Sequence, residues 1–213
     1  MDLQIDLRVA ELLTSRMCHD LVGPIGAVNN GMELLSDGGM ELADDALKLA
    51  SRSAGQAAVL LQFYRMAYGM AGNRQGGDLT PMRELAVQFF AHQKATLEWV
   101  QTSAPEGLPE SAGKLILNMI ILAAEALPRG GTVGVLFSKE AGAVDIVVVA
   151  VGADAGLRDE THASLKEDVV VEDLTPRSVH GYFTRLLARR IGGDLEVTPA
   201  GSGHLRITAK LPV

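Results

Sequence analysis

The chain of 213 residues lacks the features that mark several common protein classes. Cys18 is its only cysteine, which excludes an internal disulfide and a cysteine-rich zinc site. The longest apolar stretches, such as residues 115–127, are interrupted by polar residues and are too short to span a membrane. The first six residues include acids where a signal peptide would carry Lys or Arg. These absences predict a soluble, globular protein of the cytoplasm.

Basic residues are also in deficit. The 19 Lys and Arg side chains against 26 Asp and Glu give a formal net charge of −7, so we expect no binding to nucleic acid. Four of the five histidines lie in different predicted elements, without the spacing of metal ligands. We interpret them as surface or hydrogen-bonded histidines, and we predict no metal or cofactor in this chain. These four are His92, His162, His180 and His204.

The N-terminal part of the chain shows helical periodicity. Apolar residues recur at spacings of three and four over residues 5–35, which predicts an amphipathic helix, and the turn residues 36–39 end it. A second helix is predicted over residues 41–68, so that the two helices form an antiparallel hairpin. Since two helices cannot bury an apolar stripe by themselves, we predict a homodimer with a four-helix bundle. The stripe on the first helix consists of Leu13, Met17, Leu21, Ile25, Val28, Met32 and Leu35.

A glycine-rich linker over residues 69–77 separates this hairpin domain, residues 1–70, from a second domain over residues 78–213. The predicted order in the second domain is helix, strand, helix, two strands, helix, two strands. Helices packed on one face of such a sheet form an α+β sandwich. The acid-rich residues 159–173 are predicted to be a solvated loop. The helices are predicted over residues 80–92, 110–127 and 175–191, and the strands over residues 95–101, 132–138, 144–151, 195–198 and 204–211.

His19 is the first candidate functional residue. On an ideal helical wheel it points about 180° away from the apolar stripe, towards solvent or a partner. Gly23 and Gly26 lie on the same side, and each glycine costs a helix roughly 1 kcal/mol relative to alanine. We interpret them as allowing another backbone to approach the imidazole; the alternative is that they ease helix packing. The residues that share this direction are Leu12, Ser15, Arg16, Gly23, Gly26 and Asn30.

The neighbours of His19 suit nucleophilic chemistry. A neutral imidazole can attack phosphorus with one nitrogen while the other keeps its proton. Asp20 could hold that proton, which would fix the tautomer and stabilise the developing positive charge, provided that its rotamer reaches around the turn. Arg16 could offer a cation to phosphoryl oxygens, or it could be a solvated surface arginine. Pro24 removes a backbone donor and is expected to kink the helix beside His19.

The sequence His19-Asp20-Leu21-x-x-Pro24 resembles the phospho-accepting helix of histidine kinases. Over residues 19–34 the sequence HDLVGPIGAVNNGMEL is similar to the ChpT-type histidine phosphotransferases, which are relay proteins of alphaproteobacterial cell-cycle signalling. The resemblance extends over nearly the whole chain. It implies a dimeric helical bundle that carries, on each subunit, a domain similar to the ATP-binding (Bergerat) fold of the kinases.

The same resemblance implies that the nucleotide chemistry is lost. Kinases carry two asparagines on one helix, and here the first is Asn118 while Leu122 replaces the second, a magnesium ligand. Gly152 stands where an aspartate reads adenine; Asp154 is either a displaced adenine reader or an exposed loop acid. Residues 178–182 retain one glycine of the phosphate loop, and bulky residues there would block phosphate from the backbone amides.

By resemblance, His19 takes a phosphoryl group from a receiver-domain aspartate of a hybrid histidine kinase and passes it to response-regulator receivers. Magnesium is then expected on the receiver, and no cofactor on this chain. The receivers are expected to dock over Arg16, Gly23, Gly26 and Asn30, with the ATP-binding-like domain as a second contact surface or solely as a support for the dimer. Two alternatives stay open: a divergent ATP-dependent histidine kinase, and a non-catalytic receiver-binding module.

Overall fold

The computed structural model describes residues 6–37, 42–70, 78–140 and 142–212. Two long helices, α1 (Leu7–Asp37) and α2 (Ala43–Ala67), pack against each other as the predicted hairpin. The predicted glycine turn at residues 38–39 and most of the predicted linker lie outside the described residues. Close packing of the hairpin depends on Gly31, because a Cβ atom there would lie 2.9 Å from the Ala46 oxygen and the Ala50 Cβ.

The second part of the chain is an α+β unit with one five-stranded sheet. Its strand order is β1-β2-β3-β5-β4; β1 pairs with β2 in parallel, and the other neighbours are antiparallel. Alternate residues of the strands face a hydrophobic core. In β2, for example, Val133 and Val135 are buried and Phe137 is half-buried, whereas Leu136 points to the other face and is 54% exposed. The elements are α3 (Thr80–Phe90), β1 (Ala95–Trp99), α4 (Ala112–Glu125), β2 (Gly131–Glu140), β3 (Ala143–Val151), α5 (Asp159–Ser164), α6 (Val179–Arg190), β4 (Asp194–Pro199) and β5 (His204–Pro212).

The predicted architecture, a helical hairpin followed by an α+β domain, is confirmed. The centre of the core is α4, whose residues from Ala112 to Ala123 are all buried. Its apolar run offers no hydrophilic face, which is typical of a helix enclosed on every side. Within the described part of the chain, no helix combines the length and the apolar character that a membrane crossing requires.

The prediction that residues 159–173 form a solvated loop is wrong. The segment contains α5 and a 3-10 turn at Val171–Asp173, and Thr161 and Ser164 are each 1% exposed. The packing of α5 against α6 explains the burial: Gly181 has no side chain, and a Cβ atom there would overlap the Ser164 hydroxyl. A local sequence pattern cannot predict the contact between α5 and α6, because the two segments meet only in the folded chain.

The N-terminus of α1 holds the same segment in place. The guanidinium of Arg8 donates to the carbonyl oxygens of Val171, Glu172 and Leu174 at 3.2, 2.9 and 3.2 Å. Beside these bonds, Val9 packs on Leu174 and Val179 in a small hydrophobic cluster. The helix predicted to start at residues 175–176 begins only at Val179 in the structure, because a turn closed by hydrogen bonds between Thr175 and Ser178 precedes α6. The hairpin and the α+β unit are therefore directly joined along α1.

Candidate functional site

His19 lies on the surface of α1 with its side chain 88% exposed. Its Nδ1 is 3.2 Å from Oδ1 of Asp20, the next residue along the helix. Since a carboxylate only accepts hydrogen bonds, this contact places the imidazole proton on Nδ1. The lone pair of Nε2 is then free for nucleophilic attack. Asp20 thus has the rotamer that the sequence argument required.

The second oxygen of Asp20 is held by the other helix of the hairpin. The Tyr64 hydroxyl donates to Asp20 Oδ2 at 2.5 Å. Tyr64 is 4% exposed, and burial together with the Asp20 carboxylate raises the pKa of its phenol far above the ordinary value. The hydroxyl therefore stays protonated and remains a donor. Tyr64 is a site residue that the sequence does not reveal, because no local motif relates two residues 44 positions apart.

Arg16 forms an ion pair with Glu125, at the end of α4. The side chains of Arg16 and Glu125 are only 13% and 17% exposed, so the alternative of a solvated surface arginine is wrong. Burial by itself would lower the pKa of Arg16, but Glu125 and its hydrogen bond raise it above the usual value. The sequence did carry a signal for Glu125: a lone acid interrupts the apolar run of α4.

An open cavity of about 630 Å³ lies between α1 and the segment that leads into α6. His19, Asp20 and Arg16 line it from one side, so the structure brings these three predicted site residues together. Most residues on the opposite side carry guanidinium or carboxyl groups, and none of these was predicted from the sequence to belong to the site. The opposite side consists of Glu125, Arg158, Glu160, Thr175, Pro176 and Arg177.

Gly23, Gly26 and Asn30 follow His19 along α1 and are not among the residues that line this cavity. Gly23 and Asn30 are exposed and Gly26 is half-buried. A Cβ atom at either glycine would meet nothing within 4 Å. Within the chain, then, helix packing requires neither Gly23 nor Gly26, in contrast to Gly31.

The positions that resemble the nucleotide motifs of kinases are filled by packing. Leu122 is fully buried in the core. A Cβ atom at Gly152 would lie 2.7 Å from both the Gly130 oxygen and a methyl group of Leu127, so a side chain cannot enter without displacing backbone. Asp154 is about half-exposed and forms an ion pair with Arg129, which fits the interpretation of an exposed loop acid.

Asn118 instead joins the hairpin to the α+β unit. Its side-chain amide donates to the carbonyl oxygen of Ala67 at 2.8 Å, and its backbone carbonyl accepts from Nε2 of His180 at 3.0 Å. Nδ1 of His180 then accepts from the Tyr68 hydroxyl at 3.2 Å. Lys114 adds bonds to the carbonyl oxygens of Tyr68 and Gly69 at 3.1 and 3.0 Å. The helix that carries the nucleotide-motif asparagine therefore binds the end of α2.

Comparisons with known proteins agree with this architecture. The family model of the histidine phosphotransferase C-terminal domain matches residues 79–203. The protein phosphotransferase ChpT of Brucella abortus (strain 2308) is 33% identical over 195 residues, which cover 90% of this chain and 90% of that protein. A bacterial phosphotransferase solved at 1.7 Å aligns with a TM-score of 0.83 and 31% identity, over 97% of this chain and 98% of that chain. Both of these similarities extend across the hairpin and the α+β unit.

Proposed function

Because the chain belongs to the histidine phosphotransferase family and is a phosphorelay protein of the ChpT type, we propose that His19 is its phospho-accepting residue. The observation that carries this proposal is the exposed imidazole of His19 with its Nδ1 proton directed at Asp20. No other histidine among the described residues combines such exposure with a neighbouring carboxylate that fixes its tautomer.

The proposed reaction is transfer from a receiver aspartate to His19 and then to a second receiver. As Nε2 forms its bond to phosphorus, the bond between phosphorus and the aspartyl oxygen breaks, and the receiver regains a free carboxylate. The Nδ1 proton stays on the ring, and Asp20 stabilises the positive charge that develops there. The return step onto the second receiver reverses these changes. The receivers supply their own acidic pocket and magnesium, so this chain contributes nucleophile and orientation.

We propose further that the protein does not use ATP as a phosphoryl donor. Leu122 supplies no oxygen for a metal, and the tight surroundings of Gly152 leave no room for an adenine-reading carboxylate. At the start of α6, Gly181, the one glycine retained from the phosphate-loop pattern, packs directly against α5. Three separate features of a nucleotide site are thus replaced by packing contacts.

The surface around His19 supports the proposed partners, which are the receiver of a hybrid histidine kinase and response-regulator receivers. Gly23 and Gly26 leave the surface of α1 free of side chains next to the imidazole, and Asn30 adds an exposed polar group. On the other side of His19, the guanidinium groups of Arg158 and Arg177 line the cavity together with the carboxyl groups of Glu125 and Glu160. The open helix surface beside the imidazole suits the approach of a receiver's active site.

We also propose that the protein acts as a cytoplasmic homodimer. Apolar residues remain exposed on both helices of the single chain: Ile25 at 48% and Met32 at 54% lie seven positions apart, and Leu47 at 58% and Leu61 at 49% lie fourteen apart. Spacings of seven and fourteen place these side chains on one side of each helix, as in a four-helix bundle. Light scattering after gel filtration tests this: a dimeric mass is expected, and Leu61→Glu is expected to give a monomer that keeps its helical content.

The function is tested with two phosphoryl donors in parallel. The purified protein is mixed with labelled ATP in one tube and with a labelled phospho-receiver in the other, with His19→Ala as the control. We expect label on the wild type from the receiver only, and none on His19→Ala. Label from ATP alone would identify a histidine kinase and overturn the proposal. Binding of the receiver without transfer would instead identify a non-catalytic binding module.

A further inference from the structure

We propose that Tyr64 is a positioning residue for the phosphotransfer, which holds Asp20 in the one orientation that fixes the reactive tautomer of His19. This inference rests on the proposed role of His19. Tyr64 would not contact the phosphoryl group, and its effect would pass through the Asp20 carboxylate. The arrangement is a chain of two hydrogen bonds, from the Tyr64 hydroxyl to Oδ2 of Asp20 and from Nδ1 of His19 to Oδ1.

Asp20 needs such an anchor because of its place on the helix. Adjacent residues on an α-helix point in different directions, so a carboxylate reaches the imidazole before it only in a selected rotamer. The His19 side chain is 88% exposed and that of Asp20 is 31% exposed, so water competes for the bond between them. The Tyr64 hydroxyl, at 2.5 Å from the other carboxylate oxygen, restrains the rotation of Asp20 away from His19.

Tyr64 itself is held rigidly by its surroundings. Its ring stacks on Tyr68 with the ring centres 5.2 Å apart and the planes 6° from parallel, and it meets Phe63 edge-on. The Tyr68 ring is itself packed edge-on against the rings of His180 and Phe183, contacts that do not involve its hydroxyl. An aromatic ring packed on two sides loses little further freedom when its hydroxyl binds a carboxylate. The bonded geometry is therefore built into the hairpin before a receiver arrives.

The chemical benefit is that Nε2, the exposed ring nitrogen, is already the unprotonated one when a receiver arrives. With Nδ1 protonated and held by Asp20, Nε2 carries the lone pair that forms the bond to phosphorus, and no proton has to leave the ring. If Asp20 turned away, the proton could move to Nε2 and the attacking lone pair would be lost. The loss of Tyr64 is expected to lower the fraction of molecules in the reactive tautomer, whereas receiver docking on the outer surface of α1 would not change.

The test compares Tyr64→Phe with Tyr68→Phe, which removes a neighbouring buried hydroxyl that does not bind Asp20. The tautomer of His19 is read in the full-length protein without any receiver, from the 15N chemical shifts of its ring nitrogens. We expect wild type and Tyr68→Phe to hold the proton mainly on Nδ1, and Tyr64→Phe to shift it towards Nε2. In transfer assays, Tyr64→Phe is expected to lower the maximal rate about tenfold, the size of one hydrogen bond to a charged group, with an unchanged KM for the phospho-receiver.

The proposal is overturned if Tyr64→Phe has the same ring-nitrogen chemical shifts and the same maximal rate as the wild type. It is also overturned if Tyr68→Phe moves the His19 proton towards Nε2 as Tyr64→Phe is expected to do. The second outcome would assign the effect to packing of the aromatic residues. Failure of the proposed function has a different signature, since the wild type would then accept no phosphoryl group while the tautomer measurement still reported on Tyr64. The two hypotheses are therefore separable in one set of samples.

Discussion

Arg16, one helical turn before His19, forms an ion pair with Glu125 at the end of α4. This pair joins the helix that carries the proposed phospho-acceptor to the α+β domain, and both residues line the cavity beside His19. The Arg16 guanidinium therefore both holds the α+β domain against α1 and places a positive charge beside His19. The α+β domain thus contributes a charged group directly to the site that contains His19.

Removal of one partner of this ion pair should be costly. Glu125→Gln leaves the Arg16 charge mostly buried without its counter-ion, and we expect it to lower the free energy of unfolding by about 3 kcal/mol. The double variant Arg16→Met/Glu125→Leu should recover most of that loss, because apolar residues can replace a buried pair. Urea unfolding at a fixed protein concentration measures both. The exposed pair Arg129 and Asp154 is the control: Asp154→Asn should cost less than about 1 kcal/mol.

Gly23 allows a separation between stability and partner binding. No atom of the chain would meet a Cβ there, so Gly23→Ala is expected to stabilise α1 by up to about 1 kcal/mol. If receivers dock over this surface, the same variant should raise the KM for the phospho-receiver. Gly55→Ala, at an equally open position on α2, should stabilise the fold without that rise. Unchanged transfer by Gly23→Ala would place the docking surface elsewhere.

An aspartate at position 152 should not create a nucleotide site. Gly152→Asp restores the kinase residue type, but its Cβ would collide with the Gly130 oxygen and with Leu127. We expect it to destabilise the protein by about 1–3 kcal/mol, as overpacking does, and to give no rise in Tm with magnesium and ATP. Gly156→Asp adds the same charge at an exposed position with free space and should leave the Tm nearly unchanged. A Tm that rose with ATP in Gly152→Asp would contradict the proposed loss of the nucleotide site.

Sequence reasoning succeeded where the signal was local. The hairpin helices and α4 follow from apolar periodicity within single segments, and the pairing of His19 with Asp20 joins neighbours in the chain. It failed where the stabilising contact is distant: α5 owes its burial to Gly181 and to the bonds that Arg8 makes with the segment after it. Tyr64 could not be assigned for the same reason, since it lies 44 positions from Asp20. The lone acid Glu125 stands out in the apolar run of α4, but its partner Arg16 lies 109 positions away and could not be identified from the sequence.

His180 should make the stability of the protein depend on pH. The residue is fully buried, with Nε2–H donated to Asn118 and Nδ1 accepting from Tyr68. Burial, with a further contribution from the Arg16 charge, holds the pKa of His180 well below its usual range. In the unfolded chain the same imidazole titrates near its ordinary value of about 6.5. Below that pH the unfolded chain binds a proton that the folded protein does not, so stability falls as the pH falls and is unaffected above about pH 7.5.

Urea unfolding of the wild type and of His180→Gln at pH 7.5 and pH 5.5 isolates this effect, because every other titrating group is common to both proteins. Between these two pH values the wild type should lose about 1.4 kcal/mol more of its unfolding free energy than the variant does. An equal loss in the two proteins would mean that His180 accepts a proton in the folded state. That result would also require the Tyr68 hydroxyl to give up its hydrogen bond to Nδ1, because a protonated imidazole has no lone pair to accept it.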